Sequence, residues 1–154
     1  MNIDKNEQEA LNTLKESYSE KFVSVKNALK SIHRGDRIFV HTACGEPQFL
    51  LKSLVEYIES DPKAVFDAVV LQVWSLGLAP YAQEKFKHNF RHNYFFIGNS
   101  TRSAVNSGLA DYTPIFLSEI PRLFNRGLVP VDVALIQASC PDPHGYMSLG
   151  VSVD

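Results

Sequence analysis

The chain has 154 residues, 45% of them hydrophobic and 21% charged, with a formal net charge of -2. That is enough polypeptide for one domain with a real core, and the near-neutral balance excludes general attraction to nucleic acid or to anionic membranes. No run of about eighteen apolar residues occurs, so no membrane-spanning helix is expected.

The N-terminus, MNIDKNEQEALNTLKESYSEKF, is polar and carries acids, unlike a signal peptide, which needs an apolar core. Residues 5–30 predict one helix, because Leu11, Leu14, Tyr18, Phe22, Val25 and Leu29 recur at steps of three and four. Arg34-Gly35-Asp36 predicts a turn, and RIFVH, 37–41, a short strand. A small-residue loop, 42–46, leads to a helix over Pro47–Glu59, with Pro47 placed at its start. AVVLQVW, 68–74, is a strand covered on both faces, and residues 81–90 read as a helix. NYFFIG, 93–98, predicts a strand. Residues 99–108 predict a helix capped by Asn99 or Ser100 and closed by Gly108. TPIFLS, 113–118, is a strand, and residues 118–127 a short helix with Pro121 in its first turn and Gly127 at its end. VDVALIQAS, 131–139, reads as a buried central strand. SCPDPHGY then reverses the chain, and MSLGVSVD alternates like a strand.

Strands and helices therefore alternate across short turns. The fold class expected is α/β, a mostly parallel sheet flanked by helices, with α+β as the alternative. Such a sheet carries ligand groups in the loops that follow its strands. Those loops are HTACGEP, WSLGLAP, GNSTR, SEIP and SCPDPHGY.

HTACGEP could let backbone N–H groups approach a phosphate or an oxyanion at a helix start, or it could be a plain tight turn. It is neither a P-loop nor GxGxxG. Cys44 beside His41 would suit a thiolate, but no third orienting group is visible, and a buried small hydrophobe is the role expected of it. Cys44 and Cys140 lie outside any CxxC pair and read as cytoplasmic thiols. His88, His92 and His144 include an i,i+4 pair without HExxH or a matching acid, so no metal site is expected. Arg102 could clamp a carboxylate or phosphate, or pair with Asp111. Glu46 and Glu119 sit in ligand-side loops, where each could attack an acyl group or simply serve as a helix-start acid.

Three blocks carry a resemblance: GDRIFVHTACGEPQFLLKSL, FFIGNSTRSAVNSGLADYTPIFLSEIPRLF and VDVALIQASCPDPHGYMSLGVSVD. Together they resemble the N-terminal domain of the acetyl-CoA hydrolase/CoA-transferase family, which includes 4-hydroxybutyrate, acetate and succinyl-CoA transferases. The most specific stretch is SCPDPHGYMSLGVS, and the spacing of Arg102, Gly108, Tyr112, Pro114 and Pro121 supports it. The resemblance covers roughly residues 30 to 154.

It implies an N-terminal helix over 1–30, a CoA-transferase-like α/β domain over 31–154, and a second, similar domain beyond. It implies a glutamate that attacks the acyl-CoA carbonyl and releases CoA thiolate, an acyl-glutamyl anhydride that the thiolate attacks to give a glutamyl-CoA thioester and the free carboxylate, and then exchange with an acceptor carboxylate, or hydrolysis by water. That glutamate belongs to the second domain, so no residue of this chain is expected to be catalytic, and activity alone is not expected. The cleft candidates are His41, Thr42, Ala43, Cys44, Gly45, Glu46, Asn99, Ser100, Thr101, Arg102, His144, Gly145 and Tyr146. His41 stands where many relatives are expected to carry glycine. No cofactor is implied beyond coenzyme A or acyl-CoA as substrate. The partners implied are acyl-CoA and carboxylate substrates and a second domain or subunit, with a homodimer as another way to cover the exposed face. A non-catalytic CoA-binding or assembly module is the competing reading.

Overall fold

The structure is a computed structural model that describes residues 5–77, 79–142 and 144–152. Its centre is a sheet of five strands: β1 (Arg37–Val40), β2 (Ala68–Gln72), β3 (Phe90–Tyr94), β4 (Ala110–Tyr112) and β5 (Val133–Leu135). Their order is β4-β3-β2-β1-β5, and every pairing is parallel. Ile38 lies opposite both Val70 and Val133, which fixes the central register.

Side chains alternate across a strand, so β1 feeds two cores. Ile38 and Val40 join Leu51, Leu54 and Ile58 of a helix over Gln48–Ser60, together with Val70 and Tyr81. Phe39 points the other way, toward Val73, Phe95, Ile120 and Phe124. Burying one such leucine stabilises the fold by about 2 kcal/mol. Helices are α1 (Lys5–Ser17), α2 (Val25–Leu29), α3 (Gln48–Ser60), α4 (Arg102–Asn106) and α5 (Ile120–Asn125). The α/β architecture with a parallel sheet is thus as expected.

Several element boundaries differ from expectation. The single helix over 5–30 is broken: α1 ends at Ser17, a 3-10 turn covers Ser19–Lys21, and Ser24 caps α2 by accepting the Asn27 N–H at 3.3 Å. Ser24 favours a cap over a helix interior, and that preference interrupts the apolar stripe. Residues 81–90 form no α-helix, only 3-10 turns at Pro80–Ala82 and Glu84–Phe86. The third strand begins at Phe90, earlier than the NYFFIG run. Phe90, His92 and Tyr94 are its buried positions, and a histidine buried in its neutral form escapes a hydropathy reading. The fourth strand is Ala110–Tyr112, not TPIFLS, because Pro114 has no N–H for the ladder and Phe116 is 81% exposed.

β5 is an edge strand among the described residues, not a central one; Ala134 and Ile136 are exposed. Among the described residues the expected final strand does not form either. Residues 146–149 are irregular, a turn follows at Gly150, and Val153 and Asp154 lie outside the described residues. Instead Ser139 and Ser148 close a hairpin-like loop, Ser139 N–H donating to the Ser148 carbonyl at 2.8 Å.

Candidate active-site cleft

The loop after β1 folds inward. Ala43 takes φ +50, a left-handed backbone that alanine adopts at some cost, and its N–H donates to the Trp74 carbonyl at 3.0 Å. That twist places His41, Thr42, Gly45 and Glu46 inside and leaves Cys44 exposed. Cys44 is therefore not the buried hydrophobe expected from its small size: the 3-10 turn Ala43–Gly45 directs it outward.

His41 is a tether. The Gln137 N–H donates to Nδ1 at 3.3 Å, so Nδ1 is unprotonated and Nε2–H donates to the Ser152 carbonyl at 2.9 Å. Ser152 Oγ in turn donates to the Thr42 carbonyl at 3.0 Å. The first loop and the last described residues are thereby joined. Gly45 makes room for the imidazole: a Cβ there would lie 2.4 Å from His41 Cε1. The histidine found in place of the expected glycine at 41 is accommodated by a glycine four positions later.

Glu46 is 7% exposed, and its carboxylate is fully engaged. Oε1 accepts from Ser75 Oγ at 2.9 Å and from the Gln72 amide at 3.2 Å, and Oε2 accepts the Gly77 N–H at 2.8 Å. Tyr81 donates its hydroxyl to Gln72 Oε1 at 2.7 Å, extending the network into the core. Burial holds the Tyr81 phenol well above its usual range, and Tyr94 and the Glu46 charge push the same way. Burial likewise raises Tyr94, with Glu46 adding to it. His92, stacked on Tyr94 at 6.0 Å, is lowered to about 4 by burial, opposed by a hydrogen bond to the Tyr81 backbone. A carboxylate held by three internal donors does not fit the acyl nucleophile considered for Glu46, while its place just before Pro47, the N-cap of α3, keeps it at a helix start.

The loops after β2 and β3 meet above the sheet. Phe96 N–H donates to the Val73 carbonyl at 2.8 Å, Ser100 Oγ to the Ser75 carbonyl at 3.3 Å, and the Trp74 and Phe96 rings meet edge to face at 5.7 Å. Between them lies a pocket of about 230 Å³ whose walls include Ser75, Gly98, Asn99, Ser100 and Arg102. Thr101 is fully buried beneath it and caps nothing with its side chain. The helix start moves accordingly: α4 begins at Arg102, and neither Asn99 nor Ser100 is its cap.

Arg102 is exposed, and among the described residues no carboxylate lies within ion-pair distance of it. Its suggested partner Asp111 pairs with Arg91 at 3.5 Å. Glu119 pairs with Arg122 at 3.0 Å, and the SEIP turn starts α5. His144, Gly145 and Tyr146 form an exposed turn built on Asp142, whose Oδ1 accepts the His144 and Tyr146 N–H groups at 2.9 Å each. Their hydrogen bonds stay within that turn. His88 and His92 lie on no common helix, and no group of three metal-ligating side chains occurs among the described residues. Gln72, Ser75, Gly77 and Tyr81, none of them among the candidates that the sequence offers, also shape the site. The signal available was a glutamine inside an apolar strand, a polar group that demands a buried partner.

The sequence matches the acetyl-CoA hydrolase/transferase N-terminal domain over residues 1–154. It is 42% identical over 139 residues to a 4-hydroxybutyrate coenzyme A transferase of Clostridium kluyveri, an alignment covering 90% of this chain and 32% of that protein. It is 43% identical over 120 residues to a succinyl-CoA:acetate/propanoyl-CoA:succinate CoA transferase of Fasciola hepatica, covering 78% of this chain and 24% of that one. The fold superposes on RipA from Yersinia pestis with a TM-score of 0.78 at 22% identity, over 92% of this chain and 34% of RipA. The chain thus spans about a quarter to a third of the length of these relatives. With its parallel sheet and the rim of loops at the ends of β1, β2 and β3, the chain belongs to the acetyl-CoA hydrolase/transferase family and corresponds to its N-terminal domain.

Proposed function

We propose that this chain is the N-terminal, cleft-lining part of an enzyme that moves CoA between an acyl-CoA and a carboxylate, and that it is inactive alone. The observation that carries the reading is the state of its two rim carboxylates. Glu46 is occupied by three internal donors, and Glu119 is ion-paired on its own helix turn. Acyl transfer needs a nucleophile held beside an oxyanion site. These loops supply walls and donors, and the attacking glutamate comes from the second domain. Residues 41–46 and 99–102 line the cleft, with Arg102 facing the anionic end of a substrate. His144–Tyr146, on an exposed turn, would reach it only in the assembled enzyme. The assembled enzyme is assigned to the cytoplasm; no helix among the described residues is long and apolar enough to cross a membrane.

The test is complementation. The chain, a separate polypeptide carrying the glutamate-bearing domain, and a mixture of the two are each assayed for CoA transfer from acetyl-CoA to a carboxylate and for hydrolysis of acetyl-CoA to acetate and free CoA. Activity only in the mixture supports the reading, and turnover by the chain alone refutes it. The ratio of acyl product to free acid separates transferase from hydrolase.

The competing reading is a non-catalytic CoA-binding or assembly module, and one surface bears on the choice. An apolar groove of about 510 Å³ runs beneath Phe39, Val73, Leu117, Phe124 and Ala134, next to the open side of β5. We assign that groove to the remaining two thirds of a family-length polypeptide rather than to a second copy. Sedimentation of the isolated chain as a monomer, together with calorimetric CoA binding but no complementation, would favour the module.

A further inference from the structure

We propose that Glu46 is a positioning residue: its buried carboxylate fixes the turn Trp74–Gly77 and so sets the shape of the pocket that this turn makes with residues 96–102. The relevance to substrate rests on the cleft reading above; the positioning itself does not.

That turn is held from outside its own strand. β2 ends at Gln72, and no ladder satisfies the Gly77 N–H beyond it. Its acceptor is Glu46 Oε2 at 2.8 Å. Ser75, 29 positions along the chain from Glu46, spends its hydroxyl on Oε1 at 2.9 Å. Hydrogen bonds to an ionised acceptor are the strong ones, and the loss of a buried acceptor leaves each donor unsatisfied. The turn then transmits its position. The Ser75 carbonyl receives Ser100 Oγ at 3.3 Å, and a Cβ on Gly98 would lie 2.7 Å from that carbonyl and 2.8 Å from Trp74 Nε1. The two loops are packed so closely that one cannot shift without the other. Crowding holds the far side as well, since a Cβ on Gly77 would lie 2.1 Å from Gln48 Nε2 and 2.9 Å from Glu46 Oε2. A carboxylate used as nucleophile needs a lone pair facing substrate; both oxygens here face the protein.

Trp74 is the single tryptophan, so its fluorescence reports on this turn without any ligand. The experiment measures iodide quenching of Trp74, with far-UV circular dichroism, in native protein, Glu46→Ala, Glu46→Gln and Ser75→Ala. Glu46→Ala is expected to raise the quenching constant about twofold with unchanged secondary structure, because a turn without its anchor opens locally. Glu46→Gln and Ser75→Ala shift it less, in the same direction, since each keeps part of the network. Native quenching in the folded variants overturns the proposal. Should Glu46→Ala fail to fold, native quenching in both Glu46→Gln and Ser75→Ala does the same. In complemented enzyme, Glu46→Gln is expected to raise KM for acetyl-CoA about tenfold while kcat stays within about threefold, the split of a residue that shapes binding. A chain that never complements sinks the cleft reading, while the ligand-free quenching still decides the positioning.

Discussion

Gly45 lies directly under the imidazole of His41, where a Cβ would approach Cε1 to 2.4 Å and Nε2 to 2.6 Å. The pair explains how a bulky, buried ring occupies the first loop. It also predicts coupling. Gly45→Ala should destabilise the chain by about 2–4 kcal/mol, as overpacking against a tethered ring does. In the double variant with His41→Ala, the penalty should fall short of the sum by about 1 kcal/mol or more. Urea unfolding of the four proteins measures this; strict additivity would show that the ring is not the obstacle.

His92 gives a pH signature. Its value of about 4 lies below the usual 6.5 because it is buried. Between those values the unfolded chain binds a proton that the folded chain refuses. Stability therefore rises with pH through that window and falls on acidification. At pH 5 this one group should cost about 2 kcal/mol relative to pH 7. Replacing it, His92→Gln, should flatten the urea midpoint between pH 5 and 7 compared with native protein.

Gly98 should tolerate no side chain, because its Cβ would meet the Ser75 carbonyl and the Trp74 ring. Gly98→Ala is expected to separate the two loops, shift Trp74 emission and, in complemented enzyme, lower kcat/KM for acetyl-CoA by about tenfold or more. Unchanged emission would mean that the loops yield without cost.

Arg102 is exposed and free of ion pairs among the described residues, so Arg102→Met should change stability by less than about 0.5 kcal/mol. Its loss should nevertheless reduce CoA transfer by complemented enzyme by about ten- to a hundredfold, as removal of a charge-assisted contact does. Full activity would remove Arg102 from the cleft.

Ala134 faces the apolar groove from the edge strand. Ala134→Arg should leave the isolated chain as stable as native, because the position is exposed, yet prevent complementation by placing an unpaired charge in the buried contact. Native complementation would show that the second polypeptide docks elsewhere.

Particular residues show why some elements were readable. The Leu51, Leu54 and Ile58 spacing announces α3, because one face of a helix must meet a core. The β1 pattern RIFV is equally plain, for its inward residues alternate. β3 lies earlier than the sequence suggests because apolar content marks Phe95 and Phe96, whereas the buried positions of the strand include His92. β5 reads as central because VDVALI is a nearly continuous apolar run, although among the described residues only β1 pairs with it. That mismatch leaves the apolar Ala134 and Ile136 exposed at the edge of the sheet.

By itself, the sequence determined the layer architecture and the family, since periodicity and turn residues are local and survive translation into structure. Only the tertiary structure decided what Glu46 does, which way Cys44 faces and that His41 holds the segment around Ser152. Those outcomes depend on donors and backbone twists brought together from distant positions, and separation along the chain carries no record of proximity in space.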